Sequence, residues 1–376
     1  MRTVKFFSIF ILFVFLTGED FALPRFALRM NAQCSECHVN PTGGNMRNRG
    51  GWSYGRNVLP MASPRDYKMS NMIGENISLG LDFRTQFLYS GERNKTDFQK
   101  MAGSIYANVD LSEDINIFAR YDFIQEIWEG YGVARILPNR GYIKAGAFSP
   151  NYGLRIDDHT AYTRAGDFGP LFSQGASQGL IFLPQYTEIG LEAGLYFSDF
   201  ALLTISAGKP NSDPRTITFP FDKQNTDPSY TANLQFTPQV GDEMGLMFGG
   251  SFTNFKNSLN DFSNVNIFGG YAGFGIGGFT ILGEFDVAKD YLDIDSTSTA
   301  LMIEGAYQII KGLEAVLRYD RFDPFSDLET DAVSRLIIGF EVFPYSFIEI
   351  RPQYRLQMED PSVDNDSFVL QFHFWY

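Results

Sequence analysis

The chain has 376 residues with 30 basic and 44 acidic side chains, a formal net charge of −14, which argues against a partner made of nucleic-acid phosphates. It holds 37 Phe, 19 Tyr and 36 Gly, yet its mean hydropathy is only −0.14. So many aromatics at so mild an average point to apolar residues set in alternation, not gathered in a thick core.

In chain order, Arg2 and Lys5 precede an unbroken apolar run from Phe6 to Leu16, followed by small residues around Gly18 and Ala22. The run is too short to cross a bilayer, so residues 1–22 are expected to be a secretory signal peptide. No later stretch is long and apolar enough for a spanning helix. An exported chain that spans a membrane without such helices must do so as a closed β-barrel.

Residues 23–75 form a distinct segment. Seven basic side chains (Arg25, Arg29, Arg47, Arg49, Arg56, Arg65, Lys68) face three acidic ones (Glu36, Asp66, Glu75), whereas the remainder of the chain is strongly acidic. Opposite charge on two parts of one chain suggests mutual attraction. A basic tail that is merely solvated is the plainer alternative.

The same segment contains NAQCSECHVNPTGGN, residues 31–45, with the only two cysteines of the chain. Cys34, Cys37 and His38 spell the C-x-x-C-H motif of covalent c-type haem attachment. On a helical turn, residues i and i+3 share a face, so both thiols can reach the two vinyl groups of one porphyrin. His38 is then the proximal iron ligand. A zinc site would require further soft or imidazole ligands, and a redox dithiol would not need the histidine. A plain disulfide is the remaining alternative in an oxidising compartment. Pro41, Gly43 and Gly44 mark a turn behind the motif. Arg47 and Arg49 could pair with haem propionates or with the acidic remainder of the chain. The distal iron ligand is open among His159, His373, Met46 and Met30, with the two histidines ranked ahead.

From residue 76 onward the pattern has period two. Ile115, Ile117, Ala119, Tyr121 and Phe123 alternate with Asn116, Phe118, Arg120 and Asp122; Phe279, Ile281, Gly283 and Phe285 alternate with Thr280, Leu282, Glu284 and Asp286. In FIEIRPQYRLQ, Glu349, Arg351, Gln353, Arg355 and Gln357 make one face wholly polar. Tight turns at 111–114, 138–141, 198–199, 238–243, 275–278, 311–312 and 344–346 alternate with longer polar loops at 91–98, 256–264, 288–296, 323–331 and 359–366. Short turns on one side and long loops on the other are the habit of outer-membrane barrels, and the count comes to about sixteen strands with both termini periplasmic. The longest irregular stretch, 149–179, lies between the expected fifth and sixth strands. It is either a loop folded into the barrel or an ordinary external flap.

The expected fold is therefore all-β, a transmembrane antiparallel β-barrel over 76–376 with a short N-terminal haem-binding plug over 23–75. Residues 1–22, Cys34, Cys37, His38 and the terminal FHFWY together resemble the fused monohaem cytochrome–porins of bacterial outer membranes. The best-known of these are iron-oxidising. The resemblance implies one c-type haem in or at the barrel, carrying electrons across outer-membrane lipid between an extracellular reductant, such as a metal ion, and periplasmic electron carriers. Two other readings stand beside it. One is a passive diffusion porin with a periplasmic haem appendage, and the other is haem chemistry on a ligand, which needs an open iron position.

Overall fold

The computed structural model describes residues 24–30, 32–64, 69–91, 94–124, 126–156, 158, 160–164, 179–180, 186–210, 227–241, 244–256, 264–359, 362 and 365–376. The expected signal peptide and His159 lie outside the described residues.

Sixteen strands make the wall: β1 (Ile77–Ser90), β2 (Lys95–Asp110), β3 (Ile115–Asp122), β4 (Ile127–Ala134), β5 (Tyr142–Phe148), β6 (Glu188–Ser198), β7 (Ala201–Pro210), β8 (Ser229–Phe236), β9 (Met244–Lys256), β10 (Asn264–Ile276), β11 (Phe279–Lys289), β12 (Thr297–Ile310), β13 (Leu313–Asp323), β14 (Val333–Val342), β15 (Ile348–Glu359) and β16 (Ser367–Trp375). Each pairs antiparallel with its sequence neighbour, and β16 returns to β1 in a register that runs from Phe368 opposite Tyr89 to Trp375 opposite Asp82. The sheet thus closes with no free edge, which is what a wall in lipid requires. The first long loop is shorter than the sequence suggests, because Lys95 to Phe98 join β2 and pair with β1.

Alternation sorts the side chains as expected. Ile115, Ile117 and Tyr121 point outward, while Asn116, Phe118 and Asp122 are buried within. On β11, Phe279, Ile281 and Phe285 face out against Thr280, Leu282, Glu284 and Asp286. Outward aromatics pair across neighbouring strands, Phe87 with Phe98 at 5.0 Å and Phe236 with Phe248 at 5.2 Å between ring centroids. A continuous apolar exterior around a polar interior is the surface of a barrel that spans hydrocarbon. No described helix is long and apolar enough to cross a membrane.

The short turns, the C-terminal residues that follow β16 and the pair of strand residues Met72–Ile73 lie at one end of the barrel; the long loops lie at the other. Of the stretch 149–179, residues 165–178 lie outside the described residues, and the described residues 149–156, 158 and 160–164 do not stay outside as a flap. They cross the interior, where Tyr152 Oη donates to Asp286 (2.9 Å), Arg164 pairs with Glu284 (2.9 Å) and Asp158 pairs with Arg318 (2.6 Å). Arg335 adds a bond to the Thr160 carbonyl at 2.6 Å.

The N-terminal segment enters from the short-turn end. Helix α1 (Pro24–Met30) lays Leu28 against β9 and β10, and a Cβ on Gly245 would sit only 1.7 Å from the Leu28 carbonyl oxygen. Those wall glycines exist because backbone meets backbone there. Arg25 pairs with Glu304 (3.0 Å), Glu314 (3.4 Å) and Glu341, and Arg29 with Glu314 at 2.6 Å. The opposite charge of the two parts is thus expressed as buried ion pairs rather than a solvated tail. A single helical turn, α2 (Cys34–Cys37), and α3 (Arg49–Asn57) follow. Around α3, Phe26, Trp52, Phe343, Phe347 and Trp375 form an apolar cluster at the mouth.

Candidate cofactor site in the barrel lumen

Residues 33–51 build a compact unit around the two thiols. Gln33 caps α2, its backbone N–H donating to Glu36 Oε1 at 3.0 Å. The turn closes with His38 N–H donating to the Cys34 carbonyl at 3.0 Å, after which His38 is extended. The chain then doubles back, so that His38 bridges Arg47 and Val39 N–H reaches the Met46 carbonyl. The reversal passes through Gly43, Gly44 and Asn45 at positive φ, a conformation that costs glycine nothing. A Cβ on Gly43 would lie 3.3 Å from Cys34 Sγ, while one on Gly44 would meet nothing within 4 Å. The hairpin therefore packs its Gly43 backbone closely against the first thiol, while Gly44 faces open space.

Asn48 locks this unit from below. Its side chain accepts from Gly51 N–H to cap α3 and donates to the carbonyls of Ser35 (3.0 Å) and His38 (3.3 Å). The first two glycines of α3 are demanded by the same packing. A Cβ on Gly51 would fall 2.1 Å from the Cys37 carbonyl oxygen, and one on Gly50 2.7 Å from that of Glu36. The sequence signal was present in NRGG, an N-capping asparagine ahead of small residues, but spacing alone does not reveal what the glycines approach.

Cys34, Cys37 and His38 all open onto one cavity between the N-terminal segment, the wall at β1 to β3 and the loop 149–156. Both cysteines are free and half-buried. Burial pushes the Cys34 thiol above its ordinary pKa, partly opposed by the charge of Arg155; burial and then Glu36 raise Cys37. Five arginines (47, 84, 120, 155 and 164) line the cavity with Asp82. Arg84 pairs with Asp82 at 2.9 Å, Arg120 reaches Asp122 and Glu129, and Arg47 lies over the Trp375 ring at 5.1 Å. Apolar surface comes from Tyr106, Leu154 and Ile156. Two thiols and an imidazole on one turn, beside an apolar and arginine-rich space, are a donor set that suits a porphyrin with two carboxylates.

The four residues considered for the distal side are placed very differently. Met30 lines the cysteine cavity. Met46 turns into the cluster of Tyr106, Phe118 and Tyr131. His373 faces inward from β16 as alternation requires, but its Nδ1 lies 2.8 Å from Glu349 and its Nε2 3.4 Å from Asp82. His159 is outside the described residues, although its neighbours Asp158 and Thr160 are bound to Arg318 and Arg335. Arg49 lies away from the cysteine cavity, donating to the Glu75 carbonyl at 2.9 Å in a second, open cleft of about 930 Å³ at the short-turn mouth. His38 borders both spaces.

No protein-family model matches the sequence, and neither does any curated protein. Solved structures do match. OprB of Pseudomonas putida is similar with a TM-score of 0.57 at 10% identity, covering 80% of this chain and 94% of its own. OmpF of Salmonella typhi, in complex with daunomycin, gives 0.56 at 12%, covering 80% and 98%. The outer-membrane channel DcaP of Acinetobacter baumannii gives 0.53 at 12%, covering 80% and 97%. At these identities the likeness is one of fold. The chain is a closed, sixteen-stranded antiparallel β-barrel that resembles the outer-membrane porins.

Proposed function

We propose that this chain is an outer-membrane cytochrome–porin, with residues 1–22 as signal peptide, 23–75 as a haem-bearing plug and 76–376 as the barrel. One c-type haem is attached through Cys34 and Cys37 with His38 as proximal ligand. Both termini face the periplasm, and the long loops face outward, as in barrels of this architecture. The observation that carries the reading is that both thiols and His38 open onto a single cavity inside the barrel wall. A group hanging below the mouth would stand the full apolar band, roughly 25 Å, from an external donor; one held in the lumen shortens the path from both sides.

The bound haem supplies a one-electron couple. The chain's own residues hold and insulate it. Arg25 and Arg29 tie the plug to the wall through Glu304, Glu314 and Glu341. Described residues of the inward loop, Tyr152, Leu154, Arg155, Ile156 and Arg164 among them, line the cavity and are tied to the wall. His38, shared by the inner cavity and the open cleft, lies toward the periplasmic carriers that would exchange electrons with it. The external reductant is a one-electron donor such as a metal ion, ferrous iron among them.

The open cleft favours one second reading, a diffusion porin whose haem segment leaves a water path at the mouth. Reconstitution in liposomes holding an internal electron acceptor separates the two. With an impermeant external reductant, the conduit reduces the internal acceptor only when haem is loaded, and the Cys34→Ser, Cys37→Ser protein does not. Free passage of small solutes with an untouched acceptor assigns the chain to passive diffusion instead.

A further inference from the structure

The cavity beside Cys34 holds an imbalance of charge that the wall does not explain. Arg84, Arg120 and Arg164 each have a carboxylate within ion-pair distance. Arg155 differs. Its Nη1 donates to Ser149 Oγ (3.0 Å), and its Nη2 to the Ser149 carbonyl (3.0 Å) and Thr42 Oγ1 (3.1 Å). All of these are neutral oxygens, and Nε is buried with no acceptor. Among the described residues, Arg155 has no carboxylate at ion-pair distance. A half-buried, permanently charged guanidinium without a counter-ion stands apart from three neighbours that each have one. Its position is nonetheless well defined. It projects from the inward-folded loop, bonds to Thr42 of the hairpin that follows Cys34, Cys37 and His38, and its charge is the strongest one acting on the Cys34 thiol.

We propose that Arg155 is the positioning residue for a haem propionate, supplying the counter-charge for that carboxylate and joining the inward loop to the cofactor. This rests on the haem reading above. The missing acceptor at Arg155 is then the carboxylate that the cofactor brings, which a guanidinium can take in a bidentate pair. In return, the positive charge favours the reduced, more negative haem.

The test is a redox titration of the purified, haem-loaded full-length protein against Arg155→Gln and Arg155→Lys. The thioethers hold the haem whatever stands at 155, so all three proteins can be titrated. Arg155→Gln is expected to lower the midpoint potential enough to shift the ferrous-to-ferric ratio about tenfold at a fixed ambient potential, which is 59 mV for one electron. It should also make the potential depend on pH in the neutral range, because the abandoned propionate now titrates there. Arg155→Lys should restore most of both. An unchanged potential and pH profile in Arg155→Gln overturns the proposal, as does an equal shift in the glutamine and lysine variants. Mass spectrometry of the wild-type protein keeps the two levels apart: a chain that acquires no haem under c-type maturation defeats the haem reading itself.

Discussion

The wall and the lumen of this barrel are built by different rules. Outside, each strand obeys a local alternation, and neighbours such as Phe87 and Phe98 meet because register makes them direct partners. Inside, the contacts join residues far apart in sequence: Arg25 to Glu341, Asn45 to Glu129, Tyr152 to Asp286. The wall is therefore tolerant of exchange among apolar residues. The interior depends on individual glycines, arginines and carboxylates, because a polar lumen segment is held by specific pairs rather than by area.

The sharpest break between the two is expected from Cys34→Ser with Cys37→Ser. On the proposed haem reading, covalent haem, read by mass and by absorbance in denatured protein, should vanish completely, while the barrel keeps its heat-modifiable gel mobility. Loss of the folded barrel as well would mean that wall and lumen are not separable. Next in size is Arg25→Ala, which leaves Glu304, Glu314 and Glu341 together without their shared cation. Removing one partner of a buried set costs about 3–5 kcal/mol. That should release the N-terminal segment to protease and raise single-channel conductance in planar bilayers.

On the outer face, Leu317→Arg tests the wall. Leu317 is 52% exposed at the middle of β13, and an arginine facing the bilayer midplane costs about 2–4 kcal/mol, to be read from folding titrations into lipid vesicles. Gly51→Ala tests the lumen by sterics alone. A methyl group 2.1 Å from the Cys37 carbonyl must push α3 off the cysteine turn, at about 1–3 kcal/mol of overpacking strain. Faster proteolysis near residue 50 with an intact barrel is the expected outcome.

The smallest effect concerns pH. Burial would raise the carboxyl pKa of Asp158, but Arg318, Arg355 and Arg351 outweigh it and hold the group well below the usual range. A depressed folded-state pKa contributes stability above the unfolded value, about 3.9, and loses it only as pH falls toward the folded one. The loop should therefore stay anchored between neutral pH and about pH 4. Protease sensitivity of the 149–164 stretch that rises already between neutral pH and that point would remove Arg318 as its anchor.

Much of the wall was legible beforehand. Period-two striping and the alternation of short turns with long loops lead to sixteen strands and to the long stretch after the fifth. The first loop ends earlier than its composition suggests, because Lys95 to Phe98 alternate weakly and take their place only by pairing with β1. Cys34, Cys37 and His38 stood out by spacing, and the basic character of 23–75 pointed to an acidic counterpart. Which acids answer it could not be read, since Glu304, Glu314 and Glu341 sit on three different strands. The same holds for Arg155, an ordinary loop arginine until the loop turns inward and brings it to Thr42.

By itself, the sequence determined those features whose cause is local. These are the strand period, the turn chemistry, the cysteine spacing on one helical turn and the sign of charge in each part. Tertiary structure alone decided that the described residues following β5 turn into the lumen and that Gly50, Gly51 and Gly245 mark backbone contacts. It also decided that His373 is held between Glu349 and Asp82 while Met30 lines the cavity beside the thiols. The reason is geometric. Closing the sheet fixes which inward residues of distant strands share one height and one side of the lumen, and no period within a strand carries that information.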